Sequence, residues 1–183
     1  MKKIIVLSLL CIFMYACTNF AYNKGTLTET AWENKSLNMR FTSSKCCTIM
    51  PEEQMAMIFS SDDTTINELL AYGANDSHIL LMVQKLSDDT ADITESEYLE
   101  AIQYQETVMM DSLGITNYSF HELSTITIAK QKYATITIEK TIENIPTTTE
   151  YAVRKAGKYL VVLTITYLDE KARGELLASL TTY

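Results

Sequence analysis

Apolar and polar positions alternate along this chain in two rhythms. Two short runs of strand formers, Leu27–Trp32 and Leu37–Thr42, flank the polar group Glu33-Asn-Lys-Ser36, a pattern that predicts a hairpin. Pro51 followed by Glu52 and Glu53 predicts a helix start, because a first turn tolerates proline's missing N–H and its dipole favours acids. Met55, Ile58 and Phe59 would form the apolar face of that helix. Ile66–Tyr72 and His78–Leu86 read as strands, and the unbroken run Ile79–Val83 predicts burial on both faces. Thr94-Glu-Ser-Glu97 has the form of a capping box, in which hydroxyl and carboxylate each satisfy a backbone donor of the other residue. A helix to Leu113 follows, with Leu99, Ile102, Met109 and Leu113 as its inner face and Gly114 as its terminator.

Beyond Gly114 the rhythm shortens to two. Ile126 and Ile128, then Ala134, Ile136 and Ile138, alternate with Thr and Lys around the turn 129–132. Thr147–Lys155 and Tyr159–Tyr167 form a second hairpin about Ala156-Gly157-Lys158, and Asp169 can cap a last helix ending near Leu180. No repeat, low-complexity block or proline-rich linker interrupts this order. Strands grouped in consecutive hairpins, with helices between the groups, predict an α+β fold: one antiparallel sheet covered by helices, an α-β-α sandwich in a single domain.

The N-terminus is of another kind. Lys2-Lys3 and the short apolar run Ile4–Ala16 have the charged and hydrophobic regions of an export signal, and the run is too short to be a permanent span. Ala16-Cys17 at its end resembles the lipobox of bacterial lipoproteins, which implies cleavage before Cys17 and lipidation of that residue. The alternative is an ordinary secretory signal cut near Ala21. The expected organisation is a lipoprotein signal peptide at 1–16, a polar tether at 17–26 and the folded domain at 27–183. The expected location is extracytoplasmic, on the outer face of the cell membrane. Without residues 1–16 the chain keeps thirteen Lys and Arg against 23 Asp and Glu, a net charge of −10. Nucleic acid is excluded as a natural partner, because a binder needs a basic face to displace phosphate counterions.

Several stretches carry a family likeness: Trp32-Glu-Asn-Lys-Ser-Leu-Asn-Met-Arg-Phe-Thr42, Pro51-Glu-Glu-Gln-Met-Ala56, Glu97-Tyr-Leu99, and Tyr151-Ala-Val-Arg-Lys155 with the run to Leu163. In their order and spacing the chain resembles small Gram-positive cell-surface lipoproteins whose fold is similar to PsbP, the extrinsic photosystem II protein, and to a Ran-binding nuclear import factor. The resemblance implies a PsbP-like α-β-α domain and a non-enzymatic role. It brings no active-site residue with it.

The residues themselves point the same way. The two histidines, His78 and His121, have no serine, cysteine or carboxylate at a catalytic spacing, and no nucleophile elbow, phosphate loop, dinucleotide fingerprint or zinc-protease motif occurs. Asp88, Thr90 and Asp92 alternate like the first ligands of a calcium loop, but Ile93 and Leu99 stand where its glycine and glutamate belong. They and Asp62-Asp63 read as solvated loops, so neither a metal nor a cofactor is expected. Tyr98, Tyr104, Tyr151, Tyr159 and Tyr167 fall at strand and helix spacings and are expected in the core rather than on a carbohydrate platform. The adjacent pair Cys46-Cys47 stands out. It can be a structural or incidental pair, a strained vicinal disulfide with a binding or redox role, or an incomplete soft-metal site. The expected protein is thus a membrane-anchored binding module for an unidentified protein or small molecule. Its candidate surface is Cys46 and Cys47 with the helix start Pro51, Glu52, Glu53 and Gln54; the rival is a secreted enzyme or thiol-redox protein using the cysteine pair.

Overall fold

The computed structural model describes residues 20–59 and 64–183; the expected signal peptide, Cys17 and Asp62-Asp63 lie outside the described residues. Strands β1 (Thr26–Leu27), β2 (Ala31–Asn34), β3 (Met39–Thr42) and β12 (Leu180–Thr181) form a small antiparallel sheet in the order β1-β2-β3-β12. The main sheet, also antiparallel, contains β4 (Thr48–Ile49), β5 (Thr65–Tyr72), β6 (His78–Lys85), β7 (Tyr118–Phe120), β8 (Ser124–Ile128), β9 (Gln131–Ile142), β10 (Ile145–Ala156) and β11 (Tyr159–Tyr167). Its order is β4-β5-β6-β11-β10-β9-β7, and β8 shares with β7 the outer edge of β9. Helix α1 (Glu52–Ile58) precedes β5, α2 (Glu95–Ser112) follows β6, and α3 (Glu170–Ala178) follows β11. The fold is α+β in one domain, as the pattern predicts.

Each face of the main sheet has its own core. On one face α2 sets Leu99 against Ile136, Val153, Leu160 and Val162. On the other, the small sheet and α3 bring Trp32, Leu37, Met39, Phe41 and Leu176 onto Leu69, Ile79, Leu81, Leu163 and Ile165. Two-sided cover explains why Leu160–Leu163 runs apolar without alternation.

Helix α2 begins at the expected capping box: the Glu97 N–H donates to Thr94 Oγ1 at 3.2 Å, and the Thr94 N–H donates to Glu97 Oε2 at 2.8 Å. Those bonds hold the Glu97 carboxyl below its ordinary range. Three side-chain bonds seat the helix on the sheet: Tyr98 Oη to Gln84, Tyr151 Oη to Glu106, and the Lys155 N–H to Glu95. Its inner face departs from the expected one. Leu99 and Met110 are buried and Ile102 partly so, whereas Met109 and Leu113 are exposed. The carboxylate of Glu106 also takes an inward place, so the helix's second half is seated by a polar bond together with the buried Met110. In α1 only Met55 is buried; Ile58 faces solvent.

Other elements differ in detail. The run Leu27–Trp32 is folded back on itself, with a Thr28–Ala31 turn that pairs Leu27 with Trp32. The expected polar tether is folded from Phe20 onward: Phe20 and Tyr22 pack against the core beside Tyr159. β9 and β10 run on past the expected strand ends to a turn at Glu143-Asn144, both at positive φ. Asp169 caps α3 as expected, accepting the Ala172 N–H at 2.8 Å.

Leu99→Ala is expected to cost about 2–5 kcal/mol by emptying a fully buried site, while Val108→Ala on the exposed face stays within about 0.5 kcal/mol. Urea unfolding of the two variants checks the seating of α2.

Candidate functional site

The small sheet and α3 do not cover the whole of their face of the main sheet. Beyond the edge of α3, side chains of β9, β10 and β11 form the floor of an open cleft of about 390 Å³. Strand register sets that floor. Glu139, Thr148 and Tyr167 lie in one cross-strand row, Thr137 and Glu150 in the next, and Thr135 in the one after. Pleating turns these alternate positions to one side while Ile136 and Ile138 point to the α2 core. One wall is α3, through Glu170 and Arg173; the other is the β7–β8 edge, through His121, Ser124, Thr125 and Ile126.

The polar groups of this cleft are partly paired. Glu150 is buried, and Arg173 donates Nε–H to its Oε2 at 2.7 Å, a charge-assisted bond that offsets removal of the carboxylate from water. That bond raises the Arg173 pKa further above its already high ordinary value. The guanidinium also lies over the Tyr167 ring, 5.9 Å from its centre, and 3.7 Å from Glu170. Burial, then the charge of Glu170, pushes the Tyr167 hydroxyl up to about 12, so it stays protonated and able to donate. At the rim His121 Nε2 meets Glu139 at 3.1 Å, with both side chains more than half exposed. Ser124 and Thr135 bond to each other at 2.7 Å. Ser124 is thus engaged by a threonine rather than by the histidine, and the geometry is that of a hydrogen-bonding surface, not of an activated nucleophile.

The residues singled out from sequence lie elsewhere. Cys47 is fully buried in the core under the small sheet, Cys46 is exposed, and both are free thiols. The turn that carries them, closed by the Ser44 N–H to the Cys47 carbonyl, leads into β4. Pro51, Glu52, Glu53 and Gln54 are all exposed. Shallow depressions of about 310 and 360 Å³ flank Glu52, whose carboxylate pairs with Lys24. The structure therefore leaves the cysteines on opposite sides of their segment, and Ser44 Oγ accepts the Cys46 N–H at 3.2 Å. His78 bonds the Asp76 carbonyl at 3.3 Å. Asp88 to Thr90 form a 3-10 turn capped by Ser87, and among the described residues no cluster of His, Cys, Asp and Glu suits a metal ion. Tyr98, Tyr151, Tyr159 and Tyr167 pack at least partly into the cores, while Tyr104 is exposed.

No protein-family model matches the chain, and no curated protein is similar to it in sequence. Solved structures are. Cyanobacterial PsbP (CyanoP) from Synechocystis superposes with a TM-score of 0.52 over 86% of this chain and 95% of its own, at 10% identity. The chain has a PsbP-like fold. LpqN of Mycobacterium tuberculosis, described as involved in cell envelope biogenesis, gives 0.48 at 10% identity over 89% and 90% of the two chains. The Ran-binding protein Mog1p of Saccharomyces cerevisiae gives 0.43 at 11% identity over 84% and 85%. Among the described residues of this PsbP-like chain, no helix is long and apolar enough to cross a membrane.

Arg173→Ala is expected to destabilise the domain by roughly 3 kcal/mol, because it leaves the buried Glu150 carboxylate unpaired. Adding Glu150→Gln should restore most of that loss. Equal stability of single and double variants in urea would show that the pair does not hold the cleft wall.

Proposed function

We propose that the protein is a lipid-anchored extracytoplasmic binding module, without chemistry of its own, whose cleft beside α3 receives a small polar ligand. The observation that carries this reading is the floor itself. A sheet face that elsewhere buries Leu and Ile here presents Thr137, Thr148 and the Tyr167 hydroxyl in an open concavity. Such a surface offers hydrogen bonds in fixed geometry and few apolar contacts, which suits hydroxyl-bearing ligands. With Glu150 matched by Arg173, the carboxylates Glu139 and Glu170 leave the cleft acidic, which favours an amino group on the ligand. Amino sugars combine both features.

Lipidation of Cys17 would place the module at the membrane. Lipid supplies roughly 0.8 kcal/mol per buried methylene, so two acyl chains are enough to hold it there. Cys17→Ala protein should then appear in the medium; a wild-type chain whose intact mass begins at Tyr22 would refute the anchor. Titration of the purified protein with glucosamine and its short oligomers tests the cleft. Binding that weakens at least several-fold in Thr137→Val and Thr148→Val is expected. No binding in the parent, or binding unaffected by either change, would overturn the assignment.

A further inference from the structure

We infer that the end of the main sheet carrying the turns Ala129-Lys130 and Gly157-Lys158 is the membrane-facing pole of the domain and rests on phospholipid headgroups. The inference builds on lipidation of Cys17 and goes beyond it, because an anchor alone leaves the orientation open.

The chain's point of entry decides the pole. Phe20 is fixed at the β10–β11 turn: its ring meets Tyr159 edge-on with centres 6.0 Å apart, and it lies so close to Gly157 that a Cβ there would come within 2.8 Å of it. Tyr22 follows, 5.2 Å from the same Tyr159 ring. Three residue steps separate Cys17 from Phe20, a reach of at most about 11 Å even when fully extended. The lipidated residue is therefore held close to Gly157-Lys158.

Strand register then shows what else lies at that end. Ile128 faces Gln131, Ala156 faces Tyr159, Tyr159 faces Lys85, and the Lys85 N–H donates to the Thr64 carbonyl. These strand ends are level, so the tight turns 129–130 and 157–158 project together from one pole. At the other pole Thr166 faces His78, seven residue steps from Tyr159 along β11, or about 23 Å. The short connection to Cys17 cannot span that distance.

Charge runs the same way. Lys85, Lys130, Lys132 and Lys158 are exposed at the first pole. Lys155 there is occupied by the Ala91 and Ile93 carbonyls, and the acids Asp88, Asp89, Asp92, Glu95 and Glu97 flank the lysines on the α2 side, Glu95 accepting the Lys155 N–H and Glu97 held in its capping box. The far pole carries Asp76, Glu143, Asp169 and Glu170, with His78 and Lys171 as its neighbouring bases. In a chain whose net charge is −10 after the signal segment, the exposed lysines on the 129–132 and 157–158 turns can meet headgroup phosphates, whereas the far pole offers chiefly carboxylates. The polar cleft lies on the sheet face between the two poles, beside Tyr167 and α3.

The test uses full-length lipidated protein purified from membranes, with Cys46→Ser so that a single reporter thiol can be labelled, at Lys158→Cys or at Asn75→Cys. The dye-labelled proteins are reconstituted into phosphatidylcholine–phosphatidylglycerol vesicles containing headgroup spin-labelled lipid. Quenching several-fold stronger at position 158 than at 75 is expected, with the difference reduced by Lys130→Glu and Lys132→Glu. Equal quenching, or stronger quenching at 75, in protein whose intact mass shows acylated Cys17 would overturn the pole assignment while leaving the anchor standing. A mass without acyl groups, together with loss of vesicle binding, would overturn the anchor and the pole with it.

Discussion

A single buried carboxylate joins the two sheets of this protein. Glu68 is almost fully enclosed, and it stands where the β5–β6 register shifts between Asn67 and Leu69, a bulge that re-aims its side chain. Enclosing a carboxylate costs several kcal/mol, and donors from the N-terminal segment and β2 offset it. The Gly25 N–H and Trp32 Nε1–H each donate at 2.9 Å, Asn34 Nδ2 approaches at 3.4 Å, and Tyr22 Oη donates as well. Burial, then the charge of Glu68, pushes the Tyr22 hydroxyl far above its ordinary pKa, so it remains a donor at any physiological pH. Gly25 is required by the close approach: a Cβ there would come within 2.4 Å of Trp32 Nε1 and 2.6 Å of Glu68. Where the chain enters the domain and how the small sheet lies on the large one both follow from this cluster.

Much of the frame is legible in the sequence because it obeys local rules. Thr94 and Glu97 announce a helix by their chemistry, and the alternation from Ile126 to Ile138 announces strands by its period. The inner face of α2 is less legible: Met109 and Leu113 are as apolar as Leu99, and only the tertiary bond from Tyr151 to Glu106 shows that a carboxylate takes the inward place. The segment 20–26 reads as a tether because its aromatic residues are isolated among polar ones. Their partners, Tyr159 and Glu68, lie far away in sequence.

The cleft is illegible for a related reason. Its residues come from five elements spread between His121 and Arg173, and each reads locally as the solvent face of an alternating strand or helix. Only the limited extent of α3 and the small sheet turns that ordinary polar face into a concavity. Cys46-Cys47 is the converse case, conspicuous in sequence because paired thiols are rare, yet divided by the turn before β4 into a core residue and a surface residue. One end of the sheet thus receives the chain and carries exposed lysines, while the cleft lies on the sheet face beside α3.

Trp32 is the only tryptophan and donates directly to Glu68, so it reports on the junction itself. Urea unfolding of Glu68→Ala followed by Trp32 fluorescence is the most direct measurement. The account predicts a red-shifted emission before the main transition and a loss of roughly 3–5 kcal/mol in stability, the penalty for removing one partner of a buried charged cluster. Parent-like emission with stability within about 0.5 kcal/mol of the parent would contradict it.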